Sequence, residues 1–267
     1  MRQRSLLPWR IRHLSVSALA ALSAMAVSCT QRPISAERLD VYDGFESTKL
    51  SKMWDTIGFV PGDVVLQSEV VRAGNRAVKI TVHPHDKFEA GIGGDLDSER
   101  AELKEAKRFW SRENTTYEQS FSMFIPTDFP IVTTRLVVAQ WKQDCPNDKC
   151  QNDRPLLCIR YASGILRINQ VAPRNRHLFE TEDDVRGKWL DFKFQTRFST
   201  GENGKIRAWL NGRQVVDYAG ANAYPEDSLT GYPSPSRFYF RMGLYRDVMA
   251  EPMTIYVDEY RKKQLPD

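Results

Sequence analysis

Polar and apolar residues alternate along much of the chain after residue 40, and this alternation predicts β-strands. In residues 189–198 (WLDFKFQTRF), Leu190, Phe192 and Phe194 occupy every second position and polar side chains stand between them. A period of two is the spacing at which successive side chains point to opposite faces of a strand. Residues 206–210 (IRAWL) repeat the pattern. Almost no segment keeps the period of about 3.6 residues that is typical of a helix.

Turn residues separate the predicted strands. Residues 201–204 (GENG) precede the segment IRAWL, and Asn211-Gly212 follows it. Asn-Gly favours a two-residue hairpin of type I′, because both residues tolerate a positive φ. Pro-rich stretches such as residues 224–235 predict long loops. We therefore expect residues 41–267 to form an all-β domain, a two-sheet antiparallel β-sandwich of the jelly-roll, concanavalin-like type.

Three predicted strands carry a polar stripe on one face and apolar residues on the other. They are residues 99–104, 136–142 and 237–246. Alternation assigns to the polar faces Arg100, Glu102 and Lys104, then Val138, Gln140 and Lys142, then Arg237, Tyr239, Arg241, Gly243 and Tyr245. An ordinary solvated face is the simpler interpretation, but the combination of Arg, Gln and Tyr favours a binding face. Gly243 is expected to let a ligand approach closely.

The first 28 residues have the order of an export signal. Residues 1–13 are rich in arginine, and residues 14–28 are apolar or small. This run is shorter than the roughly 20 residues that a membrane-spanning helix needs. It ends in Ala-Val-Ser-Cys29, which resembles a lipobox, so Cys29 is the expected lipidation site. Secretion with Cys29 free or trimmed is the alternative. Residues 29–40 are expected to form a polar tether.

The exported chain is electrically balanced. The whole sequence has 38 Lys and Arg against 34 Asp and Glu. Removal of the four arginines in residues 1–28 leaves 34 basic side chains against 34 acidic ones. A neutral chain has no overall attraction for nucleic acid or for an anionic membrane. We therefore expect no nucleic-acid partner, membrane contact only through the lipid anchor, and a monomer that is periplasmic, outer-membrane-bound or secreted.

Three cysteines remain after Cys29, in what should be an oxidising compartment. Cys145 and Cys150 bracket a short polar loop that a disulfide could close. Cys158 lies in an apolar run and is more simply a buried thiol. Because there is no second cysteine pair and no histidine nearby at ligand spacing, zinc binding by these cysteines is not predicted.

The polar stripes resemble those of the β-jelly-roll polysaccharide lyases. The likeness is closest to the heparin lyase I-like and glucuronan lyase group, and more distant to the family 7 alginate lyases. It extends from about Phe45 to Tyr260. The motifs that carry it are ERAEL at 99–103, QWK at 140–142, GKIRAWLNG at 204–212, FRMGLYR at 240–246 and IYVDE at 255–259. The resemblance implies an enzyme that cleaves a uronic-acid-containing polysaccharide by β-elimination and requires no cofactor.

Such a reaction removes the proton on C5 of the uronate and expels the sugar at O4, so it needs a carboxylate neutraliser, a base and an acid. The resemblance assigns Arg100 and Gln140 to the carboxylate, and Tyr245 to the catalytic acid. A tyrosine with an ordinary pKa of about 10 is a poor base, so a neighbouring cation such as Arg241 would have to lower it. Glu102 is expected to orient Arg100. The substrate-binding set is Lys142, Arg241, Glu102, Tyr239 and Lys104.

The general base has three candidates. Family 7 alginate lyases carry a histidine in a Gln-x-His motif, and this chain has Lys142 at that position. His177 lies at about the sequence interval at which heparin lyase I carries its catalytic histidine, and it is the predicted base. His85, which follows His83 just before the first polar stripe, is a weaker candidate. If neither histidine serves, Tyr245 would act as both base and acid.

Three acids near the chain ends are candidate ligands of a structural metal ion. A structural Ca²⁺ near the chain ends could be held by Asp43, Glu46 and Asp258, although acids at a solvated edge explain them more simply.

A non-catalytic carbohydrate-binding sandwich is the first alternative function, and it would share the fold. A glycoside hydrolase needs paired carboxylates, and the acidic run at 180–184 does not alternate with apolar residues. A structural envelope lipoprotein is the lowest-ranked alternative function. For the lyase, the neutral charge of the exported chain favours an unsulfated uronan as substrate.

The lipobox-like end of the signal generates the first testable prediction. We expect the full-length protein expressed in a bacterium to enter the membrane fraction, and Cys29→Ser to move it to the soluble fraction, because the anchor is lost. Fractionation with immunoblotting measures this. An identical distribution of both proteins would contradict lipidation at Cys29.

Overall fold

The computed structural model describes residues 38–55, 58–86, 98–145, 150, 154–225 and 231–266. The predicted export signal, Cys29 and most of the tether therefore lie outside the described residues. Within the described ranges, no helix is long and apolar enough to cross a membrane.

The chain folds into two antiparallel sheets. In chain order the strands are β1 (Asp40–Asp43), β2 (Trp54–Asp55), β3 (Val64–Gln67), β4 (Ala77–Val82), β5 (Ser98–Glu105), β6 (Ser111–Arg112), β7 (Thr116–Ile125), β8 (Leu136–Gln143), β9 (Leu157–Ala162), β10 (Ile165–Gln170), β11 (Arg176–Thr181), β12 (Lys188–Arg197), β13 (Lys205–Leu210), β14 (Arg213–Ala219), β15 (Arg237–Asp247) and β16 (Met253–Gln264). A short 3-10 helix spans Lys107–Phe109.

The strand order gives each sheet eight strands in the described part of the chain. The first sheet has the order β14-β13-β12-β7-β16-β4-β3, and β1 pairs with β16. The second has the order β11-β10-β9-β8-β15-β5-β2, and β6 pairs with β15. This arrangement confirms the predicted all-β, two-sheet sandwich of the jelly-roll type.

The strands with the clearest alternation form as predicted. In β12, Leu190, Phe192 and Phe194 are buried while the polar residues between them are partly exposed. β13 and β14 are joined by Asn211 and Gly212, whose φ angles are 51° and 79°. Two consecutive positive φ values are those of a type I′ turn, so the predicted hairpin is confirmed.

Aromatic side chains from both sheets form the core between them. Trp141 of β8 contacts Phe194 of β12 with ring centroids 4.5 Å apart, and Phe121 of β7 contacts Phe240 of β15 at 5.4 Å. Burial of one such side chain stabilises the fold by roughly 1.5–3 kcal/mol. The inward faces of the predicted stripes supply much of this core.

A buried ion pair also crosses between the sheets. Lys262 of β16 donates from Nζ to both carboxylate oxygens of Glu105 on β5, at 3.0 and 2.9 Å. The hydroxyl of Tyr260 also donates to Glu105. Burial lowers the pKa of Lys262 and raises that of Tyr260. Because a buried charge without its partner is costly, this contact fixes how β5 and β16 stack.

The structure corrects the alternation at Val138 and adds a packing role at Gly243. A bulge in β8 turns Val138 into the core, while Val137 pairs with Tyr245 and takes the outward place. At Gly243 the structure shows a packing requirement that alternation did not predict, and the approach of a ligand there stays a prediction. Its φ is +141°, and a Cβ there would lie 2.7 Å from Cα of Glu102 and even closer to the carbonyl oxygen of Ala101. The glycine is therefore needed for the approach of β5.

The cysteine predictions are confirmed. Cys145 and Cys150 form a disulfide with their Cα atoms 5.9 Å apart. Cys158 is a buried free thiol, and burial raises its pKa.

Gly243→Ala is expected to lower the free energy of unfolding by about 3–5 kcal/mol, because a strained positive φ adds to overlap with the β5 backbone. Gly62→Ala is the control, since Gly62 also has a positive φ, +99°, but nothing lies near its added Cβ. We expect about 1 kcal/mol for the control. Chemical denaturation measures both, and equal losses would show that the close approach of β5 is not the cause.

Candidate active site

Strand pairing brings the three predicted polar stripes onto one outer face of the second sheet. β15 lies between β5 and β8. On β15, Tyr245 stands opposite Arg100, and Arg241 stands opposite both Lys104 and Gln140. Directly opposed residues in an antiparallel pair share a face. Tyr239 likewise stands opposite Lys142. The catalytic and substrate-binding residues that were predicted on β5, β8 and β15 therefore all lie on one surface.

The carboxylate of Glu102 is at the centre of this surface. It has no exposed area. Gln140 Nε2 donates to its Oε1 at 2.6 Å, while Arg100 Nε and Arg241 Nη1 lie 3.3 and 3.4 Å from its Oε2. Gly243 of β15 stands opposite Glu102. Since glycine has no side chain, Glu102 and Gln140 can meet across β15. The predicted contact between Glu102 and Arg100 is present.

Two guanidinium groups lie on the ring of Tyr245. Cζ of Arg100 is 4.4 Å from the ring centroid, and Cζ of Arg135 is 4.9 Å from it. Arg135 is in turn held by Asp247, with Nε 2.9 Å from Oδ1. The cation expected beside Tyr245 is therefore present as Arg100 and Arg135. Arg241 contacts Glu102 and also the ring of Tyr239, with 5.5 Å from Cζ to the ring centroid.

The other end of the surface is aromatic and basic. Nζ of Lys104 lies 4.8 Å from the ring centroid of Tyr239 and 5.4 Å from that of Trp110. The two rings are 5.0 Å apart. A sugar ring can pack on such aromatic faces while the cation binds its carboxylate.

Sequence reasoning missed Arg135 and Trp110. Arg135 directly precedes β8, and Trp110 follows the short 3-10 helix, so both lie outside the alternating strands from which the stripes were identified. Asn169 and Cys158 were also missed as outward residues, although Cys158 stands opposite Gln140 and Asn169 opposite Cys158. Alternation along β9 and β10 is the signal that could have found them.

The outer surface has an excess of positive charge. Among the described side chains, Arg100, Lys104, Arg135, Lys142 and Arg241 lie near three carboxylates, those of Glu102, Asp247 and Asp55, and Asp55 stands opposite Lys104. Lys142 and Arg241 are themselves 7% and 8% exposed. The local cation cluster that an anionic ligand requires in a neutral chain is therefore present.

Of the two candidate histidines, His177 lies apart from this centre, whereas His85 lies beside β5, where its amide donates to the carboxylate of Glu99 at 2.6 Å. His177, on β11, is exposed and pairs with Asn169. Three strand spacings separate it from Gln140, which is about 14 Å at 4.8 Å per strand. His85 is also exposed, and the carbonyl of the next residue, Asp86, accepts a hydrogen bond from the amide of Arg100 at 3.0 Å. The assignment of either histidine as base stays a prediction.

The three acids considered for Ca²⁺ are engaged with protein groups. Asp43 accepts hydrogen bonds from the amide of Phe45 and the indole of Trp54. Glu46 accepts from the amides of Asn75 and Arg76, and Asp258 from those of Arg72 and Ala73. These contacts anchor loops at the edge of the first sheet. Calcium binding by the acids stays a prediction.

Comparison with known proteins decides the family. The sequence model of the family described as Polysaccharide lyase matches residues 45–261, a range that includes every strand of the outer surface. The chain belongs to this polysaccharide lyase family. A search of curated protein sequences gave no match.

Solved structures support the fold of the lyase. An endo-β-1,4-glucuronan lyase from the fungus Trichoderma reesei is similar with a TM-score of 0.59 and 19% identity, over 79% of this chain and 91% of that chain. The cellulose induced protein Cip1 has a TM-score of 0.52 and 14% identity, over 83% of this chain and 96% of that chain. The family 7 alginate lyase AlgAT5 has a TM-score of 0.51 and 17% identity, over 78% of this chain and 84% of that chain.

Glu102→Gln should reduce the lyase's kcat/KM by about 10- to 100-fold, because Arg100 and Arg241 lose the charge that orients them. Glutamine preserves the shape of the side chain. Glu180→Gln is the matched control, since Glu180 lies on β11 of the same sheet and pairs with Arg167 at the surface. Product release from a cleaved uronan and circular dichroism are the measurements. Equal activity of the two variants would contradict the orienting role of Glu102.

Proposed function

We propose that this polysaccharide lyase cleaves an unsulfated uronan by β-elimination on the outer face of the second sheet. The observation that carries the proposal is the position of Arg100, which contacts both the buried Glu102 carboxylate and the Tyr245 ring. A uronate carboxylate bound by Arg100 would place C5 and O4 of the same sugar beside the phenol. The similarity to a glucuronan lyase supports this choice of polymer class.

Arg100 and Gln140 are proposed to bind the uronate carboxylate. The amide nitrogen of Gln140 has two hydrogens, and one is donated to Glu102. The second is available to a carboxylate oxygen of the substrate. Loss of the C5 proton places negative charge on this carboxylate in an enolate-like form, and fixed donors stabilise such charge strongly. Glu102 keeps both donors in position before substrate binds.

Tyr245 is proposed to act as both base and acid. Its phenolate takes the proton from C5, the C5–H electron pair forms the C4–C5 double bond, and the C4–O4 bond breaks. The phenol then gives the same proton to O4, which restores the starting state. Arg100 and Arg135 lie on the ring of Tyr245 and place positive charge beside the group that transfers the proton. This assignment is favoured over His177 because His177 lies three strands from Gln140.

The use of one residue for both transfers restricts the substrate. The C5 proton and O4 must lie on the same side of the sugar ring, because one hydroxyl reaches both. They do so in 1,4-linked glucuronate and mannuronate. They lie on opposite sides in guluronate, iduronate and galacturonate. We therefore propose glucuronan or mannuronate-rich polymers as substrates.

Export to an oxidising compartment is part of the proposal. The Cys145–Cys150 disulfide is of a kind that persists mainly outside the cytoplasm. The N-terminal signal and Cys29 would then deliver the enzyme to polymers that are too large to enter a cell.

Ultraviolet absorbance tests the mechanism, because elimination leaves a double bond conjugated to the carboxylate and hydrolysis does not. Residues 30–267 are mixed with glucuronan, polymannuronate, polyguluronate, polygalacturonate and heparin. We expect a rising signal with the first two polymers, and a loss of at least about 1,000-fold in Tyr245→Phe, since no other group replaces the base and acid. His177→Ala and His85→Ala should stay within about 10-fold of the unchanged protein.

Three outcomes would contradict parts of the proposal. Loss of activity in His177→Ala or His85→Ala equal to that in Tyr245→Phe would make that histidine the base. Cleavage of polyguluronate in preference to polymannuronate would exclude a single residue in both roles. Binding of a uronan without any absorbance change would identify a carbohydrate-binding module.

A further inference from the structure

Three potential metal ligands converge on the side of the molecule where β3, β4 and the start of β5 meet. Nδ1 of His83 lies 3.1 Å from Oδ1 of Asp63 and 3.2 Å from Oδ2 of Asp86. The three ligand atoms lie within 4.8 Å of one another. Two carboxylates thus aim at one imidazole nitrogen, whereas a neutral imidazole has a single proton to share between them.

The backbone holds these side chains in place. The amide of Val60 donates to Oδ2 of Asp63 at 3.2 Å, and the carbonyl of Asp63 accepts from the amide of Thr81 at 2.8 Å. The amide of His83 donates to the carboxylate of Asp86, and the amide of Asp86 donates to the carbonyl of His83 at 3.2 Å. Asp63 is only 4% exposed. Its negative charge is therefore fixed in a poorly solvated position.

Two of the three distances between the ligand atoms, those from Nδ1 of His83 to the two carboxylates, suit a transition-metal ion. Metal–ligand bonds of about 2.0–2.2 Å to nitrogen and oxygen place neighbouring ligand atoms about 2.9–3.5 Å apart. The two distances from His83 fall in this range. An imidazole with two carboxylates is a donor set for Zn²⁺ or Mn²⁺ rather than for Ca²⁺, which prefers oxygen alone.

The cluster opens into a cavity of about 420 Å³ on the outer face of the first sheet. Asp63 and His83 line it, together with Thr81, Thr254 and Tyr256. Water molecules in this cavity could complete the coordination of an ion. The proposed active site lies on the other sheet, so substrate and ion would not compete for the same space.

We propose that Asp63, His83 and Asp86 bind one divalent transition-metal ion, with Zn²⁺ as the probe of choice. The ion joins the residue before β3 to the turn that follows β4. The carbonyl of Asp86 accepts the amide hydrogen of Arg100 at 3.0 Å, so the ion also steadies the backbone beside the carboxylate-binding strand β5. Its role is structural, and the site is separate from Asp43, Glu46 and Asp258.

Calorimetric titration of the chelator-treated chain with ZnCl₂ tests the proposal. We expect one equivalent to bind and the melting temperature to rise with Zn²⁺. Asp63→Asn and His83→Asn should each weaken binding by at least about 100-fold, because even indirect support of a metal ligand is worth about 10- to 100-fold. Asp183→Asn, at an exposed position away from the cluster, is the matched control and should bind as the unchanged chain does.

A second measurement identifies the histidine independently of any effect on folding. In a nitrogen-15 spectrum of the imidazole groups, Zn²⁺ should shift the signals of one histidine, and His83→Asn should remove those signals. Absence of Zn²⁺ binding by the unchanged chain would overturn the proposal. The proposal would also be overturned if Asp63→Asn still bound one equivalent of Zn²⁺, or if the imidazole signals that Zn²⁺ shifts belonged to His177 or His85.

Discussion

Strand β5 carries three glutamates with no exposed surface, Glu99, Glu102 and Glu105, and the need to compensate their charges organises the molecule. An unpaired buried carboxylate costs several kcal/mol, about 3–5 when its partner is removed. Glu99 pairs with the equally buried Arg246 on β15 at 2.7 Å, and Glu105 pairs with Lys262 on β16. β5 is thereby tied to its neighbour in one sheet and to the opposite sheet. Glu102, on the outer face, needs cations of its own.

The arrangement of side chains in the candidate active site follows from the need to compensate the charge of Glu102. Arg100 and Arg241 contact Oε2 of Glu102, and Gln140 donates to its Oε1. Their donors are fixed before a ligand arrives, which is the condition for strong stabilisation of developing charge. Tyr245 is placed beside Arg100 by strand pairing alone. Residues 29–267 carry equal numbers of acidic and basic side chains, yet this surface gathers several cations around one buried acid, which is the local charge that an anionic ligand requires.

The two sheets serve different purposes on their outer faces. The second sheet offers the basic and aromatic surface that runs from Tyr245 to Tyr239. The first sheet has the cavity that Asp63 and His83 line. Asp86 connects these two regions. Its side chain is part of the proposed metal site, and its backbone carbonyl accepts a hydrogen bond from the amide of Arg100. A metal ion would therefore act on the enzyme through the position of β5 and not through the chemistry.

The sequence by itself determined the strands, the Asn211-Gly212 hairpin and the composition of the polar stripes, because a period of two and an Asn-Gly turn are local signals. The family resemblance added the roles proposed for Arg100, Gln140 and Tyr245. Only the tertiary structure decided what depends on pairing between distant segments. It placed His177 three strands from Gln140, turned Val138 into the core at a bulge, and brought Arg135 from a loop onto Tyr245. It also showed that β5 packs too close to Gly243 for a side chain there, and it brought Asp63 to His83 across the β3–β4 hairpin. Register, bulges and loop paths are set by contacts across the whole sandwich, so alternation along one strand cannot contain them.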